Sequence, residues 1–165
     1  MFEALKTVIS SLVEDAGPQN QYENRDGRLA TASLLIRVAT ANTEMSAARR
    51  GKLHAVLKSG FGLDDLATIQ LIEDATAAER SATDLYHFTH QLNDVLDDEG
   101  RRRIVKMMWE IVYAEGSVNE FEDNLIWRAS DLLGVSSRQR VELRQQIAAD
   151  RAALPRVGAA EPTPR

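Results

Sequence analysis

Apolar residues recur every three or four positions along most of this chain, the spacing that places them on one face of an α-helix. The pattern predicts seven helices, which cover 28–41, 46–59, 63–78, 81–95, 98–115, 119–133 and 137–150. Glycines lie near most of the breaks between them, as expected of residues that end helices. The sequence therefore predicts an all-α fold.

The two ends of the chain have a different pattern. Residues 2–15 carry apolar side chains at helical spacing, which predicts an amphipathic helix. Residues 17–28 are polar and contain glycine and proline, which predicts a linker. We therefore divide the chain into an N-terminal helix and linker (1–27), a main helical domain (28–150) and a proline-containing disordered tail (151–165).

The apolar pattern of the main domain occurs twice. When residues 32–53 are shifted by 73 positions, apolar residues align with apolar residues, as Leu34 does with Met107. After a one-residue deletion, Gly62 aligns with Gly134 at a shift of 72. A period of this length is too long for a solenoid. We predict a compact bundle of about seven helices, built from two three-helix repeats related by a pseudo-twofold axis.

Composition narrows the classes of function. The net charge of −5 argues against nucleic-acid binding, which requires a basic surface. The chain has no cysteine, which excludes disulfides, thiolate metal sites and cysteine nucleophiles. No apolar run reaches the roughly 18 residues of a membrane span, and the N-terminus lacks the features of a signal peptide. We expect a cytoplasmic protein and leave peripheral membrane association open.

Two acidic residues lie where the pattern calls for apolar ones. Glu115 falls within the apolar arc of the helix that ends near Gly116, and Glu122 falls within the arc of the next helix. A buried carboxylate is costly unless it is paired or bound to a cation. Capping explains Glu122, because Asn119 as N-cap places it at the N3 position of a capping box. Capping does not explain Glu115, because an acid at a helix C-terminus opposes the macrodipole.

This acid pair has two main interpretations. With helix-end carbonyls, the carboxylates would form a hard oxygen site suited to Ca²⁺ or Mg²⁺. Alternatively, they serve only as cap and ion-pair partners, which the residues alone favour. A third interpretation, a hydrolase that uses the pair as acid and base, lacks an evident cleft. The chain has no P-loop, G-x-S-x-G or H-E-x-x-H motif, and we assign no catalytic residue.

The residues around this turn resemble a known family. The run AEGSVNEFE at 114–122, followed by LLGV at 132–135, is similar to the pattern A-D-G-x-[IV]-x-x-x-E and L-G-[LV] of the tellurite-resistance protein B (TerB-like) family. The resemblance covers about residues 28–150. It implies a cytoplasmic all-helical domain linked to tellurite resistance and stress response. It also implies acidic residues that bind a divalent metal, and protein partners that are often membrane-associated.

The family pattern also assigns roles to individual residues. Glu115 stands where the family usually has Asp, and Glu122 stands at the family Glu, so both become candidate metal ligands. The first copy departs from the pattern, with Asn42, Thr43 and Arg49 at the Asp, Gly and Glu positions. A guanidinium would repel a cation there. We predict that copy one has lost any metal site and that Arg49 forms a buried ion pair with the acids of copy two.

The leading hypothesis for function is a non-enzymatic interaction or stress-response module that holds a divalent cation at Glu115 and Glu122. The alternative is a structural adaptor without a metal, which binds a protein partner through an apolar surface near Trp127 or helix 2–15. Both hypotheses leave open whether the chain forms a homodimer.

Overall fold

The structure, a computed structural model, describes residues 17–41, 44–82 and 84–153, with side chains from residue 27 onward. Within these ranges it contains seven α-helices and one 3₁₀ turn, and no strand. The helices are α1 (Gly17–Ala39), α2 (Ala47–Phe61), α3 (Asp65–Ser81), α4 (Tyr86–Val95), α5 (Asp98–Val112), α6 (Glu120–Leu132) and α7 (Ser137–Ala153). The 3₁₀ turn Tyr113–Glu115 follows α5 directly. The prediction of an all-α helical bundle is confirmed.

Helix α1 forms the centre of the bundle. It packs against α3, α4 and α5 and also contacts α2 and α6. Every residue from 30 to 36 is buried, so this stretch is apolar or small on all sides rather than amphipathic. A helix buried on all sides is expected where several neighbours surround it. The core is therefore arranged around α1.

The prediction of an irregular linker over residues 17–28 is wrong, because the backbone of α1 is helical from Gly17. Pro18 lies in the first turn, where a proline interrupts no intrahelical hydrogen bond. Gly27 lies within α1 where a Cβ atom would lie 3.3 Å from Val95 Cγ2, so its lack of a side chain permits close approach of α4. The predicted helix 2–15 lies outside the described residues, and the limits proposed for the domains stay predictions.

Helix α5 supplies a second large part of the core. Its apolar arc is buried as predicted, with Trp109 completely inaccessible to solvent. The buried residues of α5 are Ile104, Val105, Met107, Met108, Trp109, Ile111 and Val112. This arc packs against α1 and α7 and fixes the end of α5 in the bundle. No helix of the described ranges is long and apolar enough to cross a bilayer.

Side-chain caps set the starts of five helices. Each N-cap residue accepts a hydrogen bond from the backbone N–H three positions later, a contact that contributes about 1 kcal/mol. These residues are Ser46, Asp64, Asp97, Asn119 and Ser136. The N-cap role predicted for Asn119 is confirmed.

The two glycines that the sequence alignment pairs also end helices in the same way. Gly62 and Gly134 have φ angles of +61° and +72°. The residue after each glycine donates its N–H back into the helix, Leu63 to Lys58 O and Val135 to Ser130 O. This is a Schellman ending, which favours glycine because other residues are strained at positive φ. The pseudo-twofold relationship between the two repeats stays a prediction.

Candidate site at the turn between α5 and α6

The turn between α5 and α6 is built around Gly116. After the 3₁₀ turn, Gly116 adopts a φ of +104° and donates its N–H to Tyr113 O at 2.9 Å. Positive φ is readily available to glycine, which explains the residue at this position. The chain then reaches Asn119, where α6 begins. The turn brings the end of α5 and the start of α6 against the first turn of α2.

Arg49 from α2 is the central residue of the site. Its side chain is only 3% exposed. Its Nη2 donates to Glu122 Oε1 at 2.6 Å and its Nη1 donates to Ala39 O at 3.1 Å. Its Nε lies 3.5 Å from Glu115 Oε2. The predicted buried ion pair is confirmed between Arg49 and Glu122, whereas the contact with Glu115 is partly exposed. One guanidinium joins the end of α1, the start of α2 and the α5–α6 turn.

Glu122 is a buried carboxylate held from two sides. Its side chain is 4% exposed, and its Oε1 accepts from Asn119 Nδ2 at 2.8 Å as well as from Arg49. Its backbone N–H donates to Asn119 Oδ1 at 2.9 Å. The capping arrangement therefore differs from the predicted box in one bond, because Glu122 accepts from the side-chain amide of Asn119. Glu122 Oε2 is buried and has no hydrogen-bond partner among the described residues.

Glu115 is placed less deeply than the sequence predicts. Its side chain is 40% exposed, and its only ion-pair contact among the described residues is the one at 3.5 Å to Arg49 Nε. Glu115 belongs to the 3₁₀ turn, in which each residue rotates by about 120° instead of 100°. The helical wheel drawn at 100° therefore misplaces it. The prediction that both carboxylates are turned to the core is correct for Glu122 and wrong for Glu115.

Two arginines of α7 bring further positive charge to the α5–α6 turn, and the sequence analysis predicted neither. Arg151 donates to the carbonyl oxygens of Tyr113 and Ala114, which places a cation at the C-terminal end of α5. Arg144 donates to Tyr113 Oη and to Asp123 Oδ1, each at 3.0 Å. A cation at a helix C-terminus is favourable and offsets an acid there. The seven-residue spacing of Arg144 and Arg151, which puts both on one face of α7, is a signal that sequence analysis could use.

The donor set fits a divalent cation poorly. Ca²⁺ binds about six to eight oxygen ligands, whereas this turn offers two carboxylates that both face the Arg49 guanidinium. In the described part of the chain, no three His, Asp or Glu side chains lie close enough together to hold a metal ion. Asn42 and Thr43 of the first copy lie outside the described residues. The arrangement found here is suited to structural ion pairing.

A groove lies beside this site on α6. It has a volume of about 630 Å³ and lies between α6 and the C-terminal ends of α1 and α3. Phe121, directly before Glu122, is 70% exposed on its wall, and Leu125 lies one turn further along the same helix. Trp127 is 48% exposed and does not line this groove. The groove thus presents apolar side chains close to the Arg49 network.

Comparison with known proteins agrees with the resemblance noted from the sequence. The family model described as tellurite resistance protein TerB matches residues 28–145, well over half of the chain. No curated protein and no solved structure matches the chain. The matched segment contains the complete α5–α6 turn and Arg49 of α2. The chain therefore belongs to the TerB family.

Proposed function

We propose that this TerB domain is a non-catalytic adaptor that binds a protein partner, and that Arg49 supplies the positive charge that a divalent cation would supply between Glu115 and Glu122. The observation that carries the proposal is the buried contact of 2.6 Å between Arg49 Nη2 and Glu122 Oε1. We also propose that this adaptor acts in a cytoplasmic stress response that includes resistance to tellurite, and membership of the TerB family supports this part of the proposal.

Arginine is well suited to replace a cation at this position. Its guanidinium stays protonated at all physiological pH values and offers several donors in a fixed plane. Two of its nitrogens donate hydrogen bonds here, to Glu122 and to Ala39, and the third lies within ion-pair distance of Glu115. The turn would then keep its shape at any concentration of free divalent cation. The adaptor would act as a permanent scaffold, without a cation-dependent switch.

The groove on α6 is the surface that we propose for the partner. An exposed apolar patch bordered by polar side chains is characteristic of interaction sites. Phe121 and Leu125 provide the apolar part, while Glu120, Arg128 and the Arg37–Glu79 ion pair provide the polar border. We propose an apolar segment of another protein as the occupant. Glu122 anchors the same turn of α6, so the Arg49 network would fix the angle at which Phe121 is presented.

One observation favours a second candidate function, the divalent-cation site at Glu115 and Glu122. Glu122 Oε2 is buried and has no hydrogen-bond partner in the part of the chain that the structure describes. Such an atom is costly to bury unless a ligand or a water satisfies it. A cation that reached Glu122 Oε2 would also draw in Glu115, whose side chain is partly exposed. This candidate requires the cation to lie beside the guanidinium charge, which opposes it.

Titration calorimetry separates the two candidates. Ca²⁺, Mg²⁺, Mn²⁺ and Zn²⁺ are titrated into the wild-type protein and into Glu122→Ala. The adaptor proposal expects no saturable heat from any of the four cations. A saturable heat from wild type that disappears in Glu122→Ala would establish the cation site and overturn the role given to Arg49.

A growth experiment tests the partner surface. A strain without this gene is complemented with wild type, with Phe121→Ser or with Leu66→Ser, and grown with tellurite. Leu66 is the matched control because it is 79% exposed and lies on α3, outside the groove. We expect wild type and Leu66→Ser to restore growth and Phe121→Ser to fail. Equal growth of all three strains would reject the groove, and equal growth of the uncomplemented strain would reject the stress role.

A further inference from the structure

A small cavity lies among residues of α1, α2 and α5 and the end of α4. Its volume is about 120 Å³. Polar and apolar atoms line it in similar amounts, and its apolar part is formed by Phe61, Val95, Leu96, Ile104 and Met107. The site described above contains none of these residues. The cavity is therefore a separate feature of the fold.

Glycines keep this space open. Gly27, Gly60 and Gly100 line the cavity from three different helices. A Cβ atom at Gly60 would lie 2.7 Å from Met107 Cε, closer than carbon atoms approach one another. Alanine would be favoured over glycine inside a helix by about 1 kcal/mol if packing did not oppose it. Any side chain at Gly60 would have to displace the Met107 methyl group.

Two arginines line the same cavity. Arg28 lies over the ring of Phe61, with Cζ 5.7 Å from the ring centroid. Arg103, on the exposed side of α5, is the second. Among the side chains that the structure describes, none that lines the cavity is acidic. Neither arginine forms an ion pair within the part of the chain that the structure describes. The cavity thus combines an apolar wall with two guanidinium groups that form no ion pair among the described residues.

We propose that this cavity binds a small amphipathic carboxylate, with its aliphatic tail between Ile104 and Met107 and its carboxylate at Arg28 and Arg103. Guanidinium groups bind carboxylates through charge-assisted hydrogen bonds. An apolar cavity of about 150 Å³ accommodates benzene. A cavity of about 120 Å³ therefore suits an unbranched tail of about four or five carbon atoms by the same comparison.

Nuclear magnetic resonance of the full chain, with labelled methionine and isoleucine methyl groups, tests the proposal. Pentanoate is titrated into the protein, and acetate, pentan-1-ol and pentylammonium serve as ligands that lack the tail, the charge or the correct sign of charge. We expect saturable shifts of the Met107 and Ile104 methyl signals with pentanoate and much weaker binding of the other three. Absence of saturable shifts with pentanoate, or equal binding of pentan-1-ol, would overturn the proposal.

Two pairs of variants locate the ligand. Gly60→Ala moves the Met107 methyl group and should weaken pentanoate binding about four- to fifteenfold, as expected for the loss of one or two methylene contacts. Gly51→Ala is its control, because Gly51 lies in the same helix and a Cβ there meets nothing within 4 Å. Arg103→Gln should weaken binding similarly, while Arg102→Gln, which does not line the cavity, should not. Unchanged binding in both Gly60→Ala and Arg103→Gln would reject this cavity as the site.

Discussion

Arg49 and Glu122 are separated by 73 residues in the chain and form a hydrogen-bonded ion pair of 2.6 Å in the interior of the bundle. The same number is the offset at which the sequence aligns the first predicted apolar repeat with the second. Two acids at this distance would repel each other, whereas an acid and a base attract. The ion pair therefore holds α2 and α6 together within the bundle.

Replacement of Arg49 by alanine should destabilise the fold strongly. Removal of one partner of a buried ion pair leaves the other charge uncompensated and costs about 3–5 kcal/mol. Urea denaturation followed by circular dichroism measures the loss. Arg50→Ala is the control, because the side chain of Arg50 is exposed and its hydrogen bond to Met45 O is long, at 3.4 Å. A loss below about 1 kcal/mol, the usual value of an exposed pair, would contradict the assigned role.

The double variant Arg49→Met with Glu122→Leu should recover much of that loss. A buried ion pair replaced by apolar side chains of similar volume is often neutral or stabilising, because no charge then remains without a partner. Each variant loses some unfolding free energy relative to wild type. We expect the losses of the single variants Arg49→Met and Glu122→Leu to add up to more than the loss of the double variant. Strictly additive losses would show that the two side chains do not interact in the folded protein.

Gly116→Ala should destabilise the turn between α5 and α6. At a φ of +104° an alanine is strained, and the expected cost is about 1–2 kcal/mol. Gly51→Ala in the middle of α2 should have the opposite sign, because alanine favours a helix and no atom lies within 4 Å of its Cβ. Thermal unfolding at the same pH measures the change in stability of each variant relative to wild type. Equal effects would show that the φ angle of Gly116 is unimportant.

Asp65, at the start of α3, should titrate below its ordinary range. A hydrogen bond from Lys58, at 2.7 Å, and a further one with His54, at 3.0 Å, lower the pKa of Asp65 from its usual 3.8. Because the pKa is lowered by folding, the stabilising effect is present above pH 3.8 and is lost as the pH falls through the lowered pKa. Carbon-detected magnetic resonance of the Asp65 carboxyl group measures the pKa directly. Lys58→Met should raise it, while Lys52→Met should leave it unchanged.

Much of the architecture was predictable because apolar spacing and capping residues act locally. The seven predicted helices correspond to the seven described ones, and Asn119 begins α6 as its side chain requires. The beginning of α1 was not predictable in this way. Residues 17–28 are polar and glycine-containing, yet they continue a helix whose later turns are buried on all sides. Packing of those later turns outweighs the weak local preference of the first ones.

The candidate site was predictable only in part. The inward position of Glu122 and its contact with Arg49 followed from the helical wheels and from the family pattern. The exposure of Glu115 did not, because the chain changes from α to 3₁₀ geometry at Tyr113. The contacts of Arg144 and Arg151 depend on how α7 lies against α5, which no local pattern specifies.

The sequence by itself determined the helices, the family and the charged residues that occupy positions expected to be apolar. These properties depend on the spacing of side chains within single helices, and that spacing follows directly from the order of residues in the sequence. Only the tertiary structure decided that Glu122 would be buried while Glu115 stays partly in water, and that Arg144 and Arg151 would reach the same turn. That outcome depends on distances between α2, α5, α6 and α7, which are set by packing of the core.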